Sequence, residues 1–159
     1  MRKDLISSLI AVVALFLGGC FPSFDPEAEG HFRQGLEHEQ RAVHDLAMEE
    51  FTRAIELDPE YYYAYYNRAL VYYRLGDLER SLADYGRAID LRPDNAYWIF
   101  ERGLLYWEYG DGDKAISDLE RAIELGLPRD YRQRAEEGLE LLRQWGPQSP
   151  PDLCSACPG

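Results

Sequence analysis

Three ten-residue segments of this chain align without gaps. They read EFTRAIELDP from Glu50, DYGRAIDLRP from Asp84 and DLERAIELGL from Asp118, so each starts 34 residues after the one before. The segments upstream keep the same offset: FRQGLEHEQRAV from Phe32, YNRALVYYRLGD from Tyr66 and FERGLLYWEYGD from Phe100. A fixed period of this length constrains the fold more than any other feature. Each period is one supersecondary unit that cannot bury its apolar face alone and must stack on its neighbours.

The residues that recur explain how such units pack. Small side chains return at Gly35, Ala69 and Gly103, at Ala47, Ser81 and Ala115, and at Ala54, Ala88 and Ala122. They allow two helices of one unit to approach closely. Phe51, Tyr85 and Leu119 are expected to fill the space between units. Ile55, Ile89 and Ile123, with Leu57, Leu91 and Leu125, complete an apolar stripe at helical spacing. Gly76-Asp77 and Gly110-Asp111 end the first helix and turn the chain, and Pro59 and Pro93 close the second.

On these residues the chain resembles the tetratricopeptide repeat family over roughly residues 28–127. The resemblance implies an all-α, right-handed solenoid of three helix-turn-helix units, 28–61, 62–95 and 96–127. The first unit departs from the pattern. It carries Ala42-Val43 where the others carry Gly-Asp, and His31 and His38 where larger apolar or aromatic residues are expected. After Pro128, Tyr131, Ala135, Leu139, Leu142 and Trp145 share one face, which predicts a capping helix over 129–145 with its polar face in water. Residues 146–159 are rich in Pro, lack periodicity and read as a disordered tail.

The N-terminus carries an address. Arg2 and Lys3 precede an apolar run from Leu5 to Leu17 broken only by Ser7 and Ser8. That run is shorter than the ~18–20 residues of a spanning helix and has the length of a signal-peptide core. It ends Leu17-Gly18-Gly19-Cys20, which resembles the lipobox of bacterial lipoproteins. The resemblance implies removal of residues 1–19, lipid on Cys20 and a tether over 20–27. Phe21 stands where an Asp holds some lipoproteins in the inner membrane, which implies an outer-membrane protein facing the periplasm.

Charge and cysteine content narrow the partners. Asp and Glu number 29 against 17 Lys and Arg, a net charge of −12. A surface of that sign repels nucleic-acid phosphate and anionic lipid. Cys154 and Cys157 form a CxxC without the second ligand pair that a zinc site needs, so a local disulfide is the simpler expectation. His31, His38 and His44 offer no i, i+4 metal pair. No phosphate loop, nucleophile elbow or catalytic constellation is present, so neither an enzyme nor a cofactor is expected.

In the tetratricopeptide family the first helices of successive repeats line a concave groove. The alignment puts Phe32, Tyr66 and Phe100 in one column, Leu36, Leu70 and Leu104 in the next, and Glu39, Tyr73 and Trp107 in a third. A fourth holds Glu29, Tyr63 and Tyr97, and Asn67 lies beside Tyr66. Aromatic rows of this kind suit a protein or peptide interface that must be stable both wet and bound. Relatives that clamp a C-terminal carboxylate use Lys and Asn, then Asn, then Lys and Arg. Here Phe32, Leu36, Asn67, Tyr97 and Glu101 occupy those positions, so only Asn67 matches and carboxylate capture is not expected. The resulting expectation is a lipid-anchored scaffold or adaptor. The alternatives are an assembly chaperone or pilotin-like lipoprotein, and an envelope redox or metal protein that uses the CxxC.

Overall fold

The computed structural model describes residues 24–146, and among them the regular structure is entirely helical. The helices are α1 (Pro26–Gln40), α2 (His44–Leu57), α3 (Tyr62–Arg74), α4 (Leu78–Leu91), α5 (Ala96–Tyr109), α6 (Gly112–Glu124) and α7 (Arg129–Trp145). Pairs α1–α2, α3–α4 and α5–α6 pack as antiparallel hairpins, each hairpin packs on the next, and α7 packs on α5 and α6. The chain is an all-α solenoid of the tetratricopeptide-repeat type. The lipobox, Cys20 and the Cys154–Cys157 motif lie outside the described residues. No helix among the described residues is long and apolar enough to cross a membrane.

The recurring small residues do what their size allows. Ala47, Ala54, Ala69, Ala88, Ala115 and Ala122 are fully buried, as is Ser81, whose hydroxyl donates to the Ala69 carbonyl at 2.8 Å. A Cβ placed on Gly35 would lie 2.5 Å from the Phe51 ring, and one on Gly103 would lie 3.2 Å from Asp118 and Leu119. The first hairpin therefore closes on Gly35 at a distance that excludes a Cβ, the third is tight at Gly103, and the second has room for Ala69 at the same position. Phe51, Tyr85 and Leu119 are buried between the elements.

An ion pair repeats with the fold. Arg68 donates to both carboxylate oxygens of Asp84 at 2.7 and 2.9 Å, and Arg102 does the same to Asp118 at 2.7 and 2.8 Å. Burial alone would lower the pKa of each guanidinium, but the paired hydrogen bonds to aspartate outweigh it and raise both. In the first repeat the corresponding residues are Gln34 and Glu50, and Glu50 is bound by His31 Nδ1 at 2.6 Å.

The turns show why the first repeat reads differently. Gly76 and Gly110 sit in the left-handed region at φ of 79° and 91°, and Ala42 takes the same role at φ 55°. Asp77 and Asp111 then cap α4 and α6 by accepting from Arg80 N and Lys114 N, whereas Val43 offers α2 no side-chain cap. The turn survives without its preferred residues because the hairpin on either side is packed.

Two expectations need correction, and the capping helix follows its periodicity. Leu125 is 42% exposed and leaves the apolar stripe, because α6 has already ended and Gly126 turns the chain. The segment read as a tether over 20–27 is structured from Phe24 onward. Phe24 stacks on Tyr61 at 4.0 Å, Asp25 caps α1 and Pro26 opens it. On α7, Ala135, Leu139 and Leu142 are buried as the periodicity predicts, Tyr131 is half-buried, and the side chain of Trp145 lies outside the described part.

Candidate functional site

Helical spacing brings Tyr63, Tyr66, Asn67, Leu70 and Tyr73 to one face of α3, and Tyr97, Phe100, Glu101, Leu104, Trp107 and Glu108 to one face of α5. Glu29, Phe32, Leu36 and Glu39 follow the same register on α1. The first helices thus carry the columns side by side, but the structure divides them into wall and core.

Tyr63 and Tyr73 are the most open, at 43% and 45% exposure. Phe32, Tyr66, Leu36, Leu70, Tyr97, Leu104 and Trp107 are half-buried and pack against the core. Tyr66 stacks on Trp98 at 5.1 Å and meets Tyr85 edge-on at 5.8 Å. Asn67 donates from Nδ2 to the Tyr63 carbonyl at 2.8 Å, so it is bound to its own helix. Phe100 was expected in the groove and is fully buried. Tyr131 of α7 covers its ring edge-on at 5.7 Å, and the Arg134 guanidinium lies 5.5 Å from its centroid. The capping helix takes the place that a fourth repeat would take, and closes that part of the concavity.

Between α3 and α5 a cleft of about 230 Å³ remains, lined by Tyr73, Tyr85, Glu101, Leu104, Leu105, Glu108 and Arg134. Its chemistry is acidic and phenolic. Tyr85 donates its hydroxyl to Glu101 at 3.4 Å. Burial and then the Glu101 charge raise the pKa of Tyr85, Tyr97 and Tyr66. Tyr73 is raised first by its hydrogen bond to Glu108 and then by burial. These phenols therefore remain neutral donors, and the carboxylates are acceptors only. Glu101 entered the sequence reading only as a mismatch to the carboxylate clamp, and Glu108 and Arg134 did not enter it. The signal was the i, i+7 spacing of Glu101 and Glu108 on the same face as Leu104.

A larger hollow of about 670 Å³ lies elsewhere, among His31, Asp45, Met48, Glu49, Glu50, Arg53, Tyr72 and Arg80. Several of its charges are already matched within the chain: His31 with Glu50, Arg53 with Glu56 and Arg80 with Asp77. The aromatic columns do not open onto it, so the smaller cleft is the better candidate. Glu39 on the first repeat is likewise engaged, by His44 at 2.7 Å and by Arg74. No group of three or more metal-ligating side chains occurs among the described residues.

Comparison with known proteins agrees with this architecture. Models of the tetratricopeptide repeat match residues 62–95 and 99–125, and a model of the TPR repeat matches residues 44–76. No curated protein matches the sequence. Among solved structures, the TPR domain of P58(IPK) is similar at 26% identity and a TM-score of 0.69. The match covers 74% of this chain and only 33% of that one, so this chain spans about a third of its length. The first TPR domain of Spaghetti (RPAP3), bound to an HSP90 peptide, is similar at 21% identity and a TM-score of 0.67, over 77% of this chain and 99% of that one. The Yersinia enterocolitica type III secretion chaperone SycD, in complex with a peptide of the translocator YopD, is similar at 15% identity and a TM-score of 0.70, over 76% and 95%. The last two likenesses speak to fold alone.

Proposed function

We propose that this chain, an all-α tetratricopeptide-repeat solenoid, is a protein-interaction scaffold of the bacterial cell envelope, anchored by lipid on Cys20 at the outer membrane and facing the periplasm. A partner protein or peptide seats in the groove formed by α1, α3 and α5. The observation that carries the reading is the open aromatic surface beside an unfilled cleft, with Tyr63 and Tyr73 roughly half in water. Large aromatic side chains left exposed on a repeat concavity are suited to anchoring a partner. Several structures of the same fold hold peptides: HSP90 in one, YopD in another.

The test uses the open residues and not the buried ones. Tyr73→Ala removes an exposed ring, so the melting temperature of the full chain should stay within about 2 °C of the parent, as for surface changes of ~0.5 kcal/mol or less. Binding of the co-purifying partner should fall roughly tenfold or more, since an aromatic anchor contributes ~2 kcal/mol. A variant that melts normally and keeps every partner refutes the groove. Lipid attachment is tested by Cys20→Ala, which should abolish fatty-acid labelling. Labelling that persists in the variant removes the anchor from the proposal.

A further inference from the structure

The tyrosines of this protein fall into two sets. Those turned away from the groove already hold cations of the chain. Arg80 lies 4.7 Å from the Tyr72 centroid, Lys114 lies 5.2 Å from that of Tyr106, and Arg92 lies 5.0 Å from that of Tyr62. Among the described residues, Tyr66, Tyr73 and Tyr97 in the groove hold none. The same contrast holds for the carboxylates. Asp77, Asp84, Asp111 and Asp118 are each paired with Arg or Lys, while neither Glu101 nor Glu108 has a cation within 4.0 Å among the described residues.

We propose that the cleft between α3 and α5 is a cation-accepting subsite that takes a lysine or arginine side chain of the partner segment. The inference rests on the groove reading above and names the chemistry of its occupant. A partner that covers Glu101 and Glu108 removes water from two carboxylates. That cost is offset only if the partner supplies charged N–H donors. A neutral segment leaves the carboxylates unmatched, and an acidic one adds repulsion. Tyr73 supplies a free aromatic face for the same cation. Glu101 and Glu108 lie two helical turns apart, about 10 Å along α5, with Leu104 between them. The site therefore suits basic side chains flanking an apolar one. The net charge of −12 steers a basic partner towards the chain from a distance. Arg134 lines the cleft on the α7 side and is the one cation among its lining residues, so it competes with the occupant.

The test is fluorescence anisotropy on the full chain with three capped peptides of equal length: alternating lysine and leucine, glutamine and leucine, and glutamate and leucine. The lysine peptide should bind about tenfold tighter than the glutamine peptide, with the glutamate peptide weakest. Glu101→Gln and Glu108→Gln keep an acceptor for the tyrosine hydroxyls and should each weaken the lysine peptide roughly threefold to tenfold. Arg134→Gln should strengthen it. Glu136→Gln on exposed α7 removes the same charge outside the cleft and should change little. Equal losses for Glu136→Gln and Glu108→Gln, or tightest binding by the glutamate peptide, overturn the subsite. If the carboxylate variants leave peptide binding unchanged while Tyr73→Ala still releases the co-purifying partner, the groove stands and the cation subsite fails. If Tyr73→Ala releases neither, the groove reading itself fails.

Discussion

Replacing single glycines by alanine should give changes of opposite sign at positions that look alike in the sequence. Gly35, Gly86 and Gly30 all lie inside helices. At Gly35 the added Cβ would sit 2.5 and 2.6 Å from two carbons of Phe51. Ordinary carbon contacts are about 3.5–4.0 Å, so roughly 1 Å must be found. Phe51 is fully buried and its ring also meets Phe32 at 5.7 Å, so it cannot swing into water. Overpacking of this kind costs about 1–3 kcal/mol. Alanine returns about 0.5–1 kcal/mol of helix propensity. The net loss should be about 1–2 kcal/mol. At Gly86 the nearest atom is Arg102 Nη1 at 4.0 Å, and at Gly30 nothing lies within 4 Å. Only the propensity remains there, so Gly86→Ala and Gly30→Ala should each stabilise by about 0.5–1 kcal/mol. Thermal unfolding followed by circular dichroism reads the order directly. One kcal/mol corresponds to a few degrees, about 2–4 °C, in a chain of this size. Gly35→Ala melting at or above Gly86→Ala would show that α1 and α2 do not approach as described.

The first turn offers a second expectation. Ala42 occupies the left-handed position of Gly76 and Gly110, and Val43 that of the capping Asp77 and Asp111, so Ala42→Gly with Val43→Asp should stabilise the fold by about 1–2 kcal/mol in all, and an unchanged or lower melting temperature refutes it. A third concerns alkali. Burial is the largest cause that raises Tyr61 to about 12 and Tyr85 above its ordinary value of 10.0. A folded pKa above the unfolded one means that stability is full below pH 10 and is lost as pH rises further, because the unfolded chain releases these protons first. Tyrosinate absorbance from the buried set should therefore appear together with loss of helical ellipticity in an alkaline titration, and its full appearance in a still-helical protein would refute the burial.

Much of this protein is determined by local sequence. The 34-residue period, the small residues at Ala54, Ala88 and Ala122, and the Gly-Asp turns specify helices, their ends and their stacking, because each acts within one hairpin or between neighbours. Their signal survives even where one element is missing, as at Ala42-Val43. What the period cannot carry is the difference between aligned positions. Tyr66 and Phe100 share a column, yet Phe100 is sealed beneath Tyr131 and Arg134 because α7 lies beside α5 and not beside α3. Phe24 precedes the first repeat and still stacks on Tyr61, because the start of α1 lies against the start of α3. Glu101 and Glu108 are ordinary helix-surface acids in sequence. Only the packing of α3, α4 and α5 surrounds them with Tyr73, Tyr85 and Leu104 and leaves them without an ion pair among the described residues. Helix formation depends on residues three and four apart, whereas burial and charge pairing depend on which helices meet, and that is decided in three dimensions.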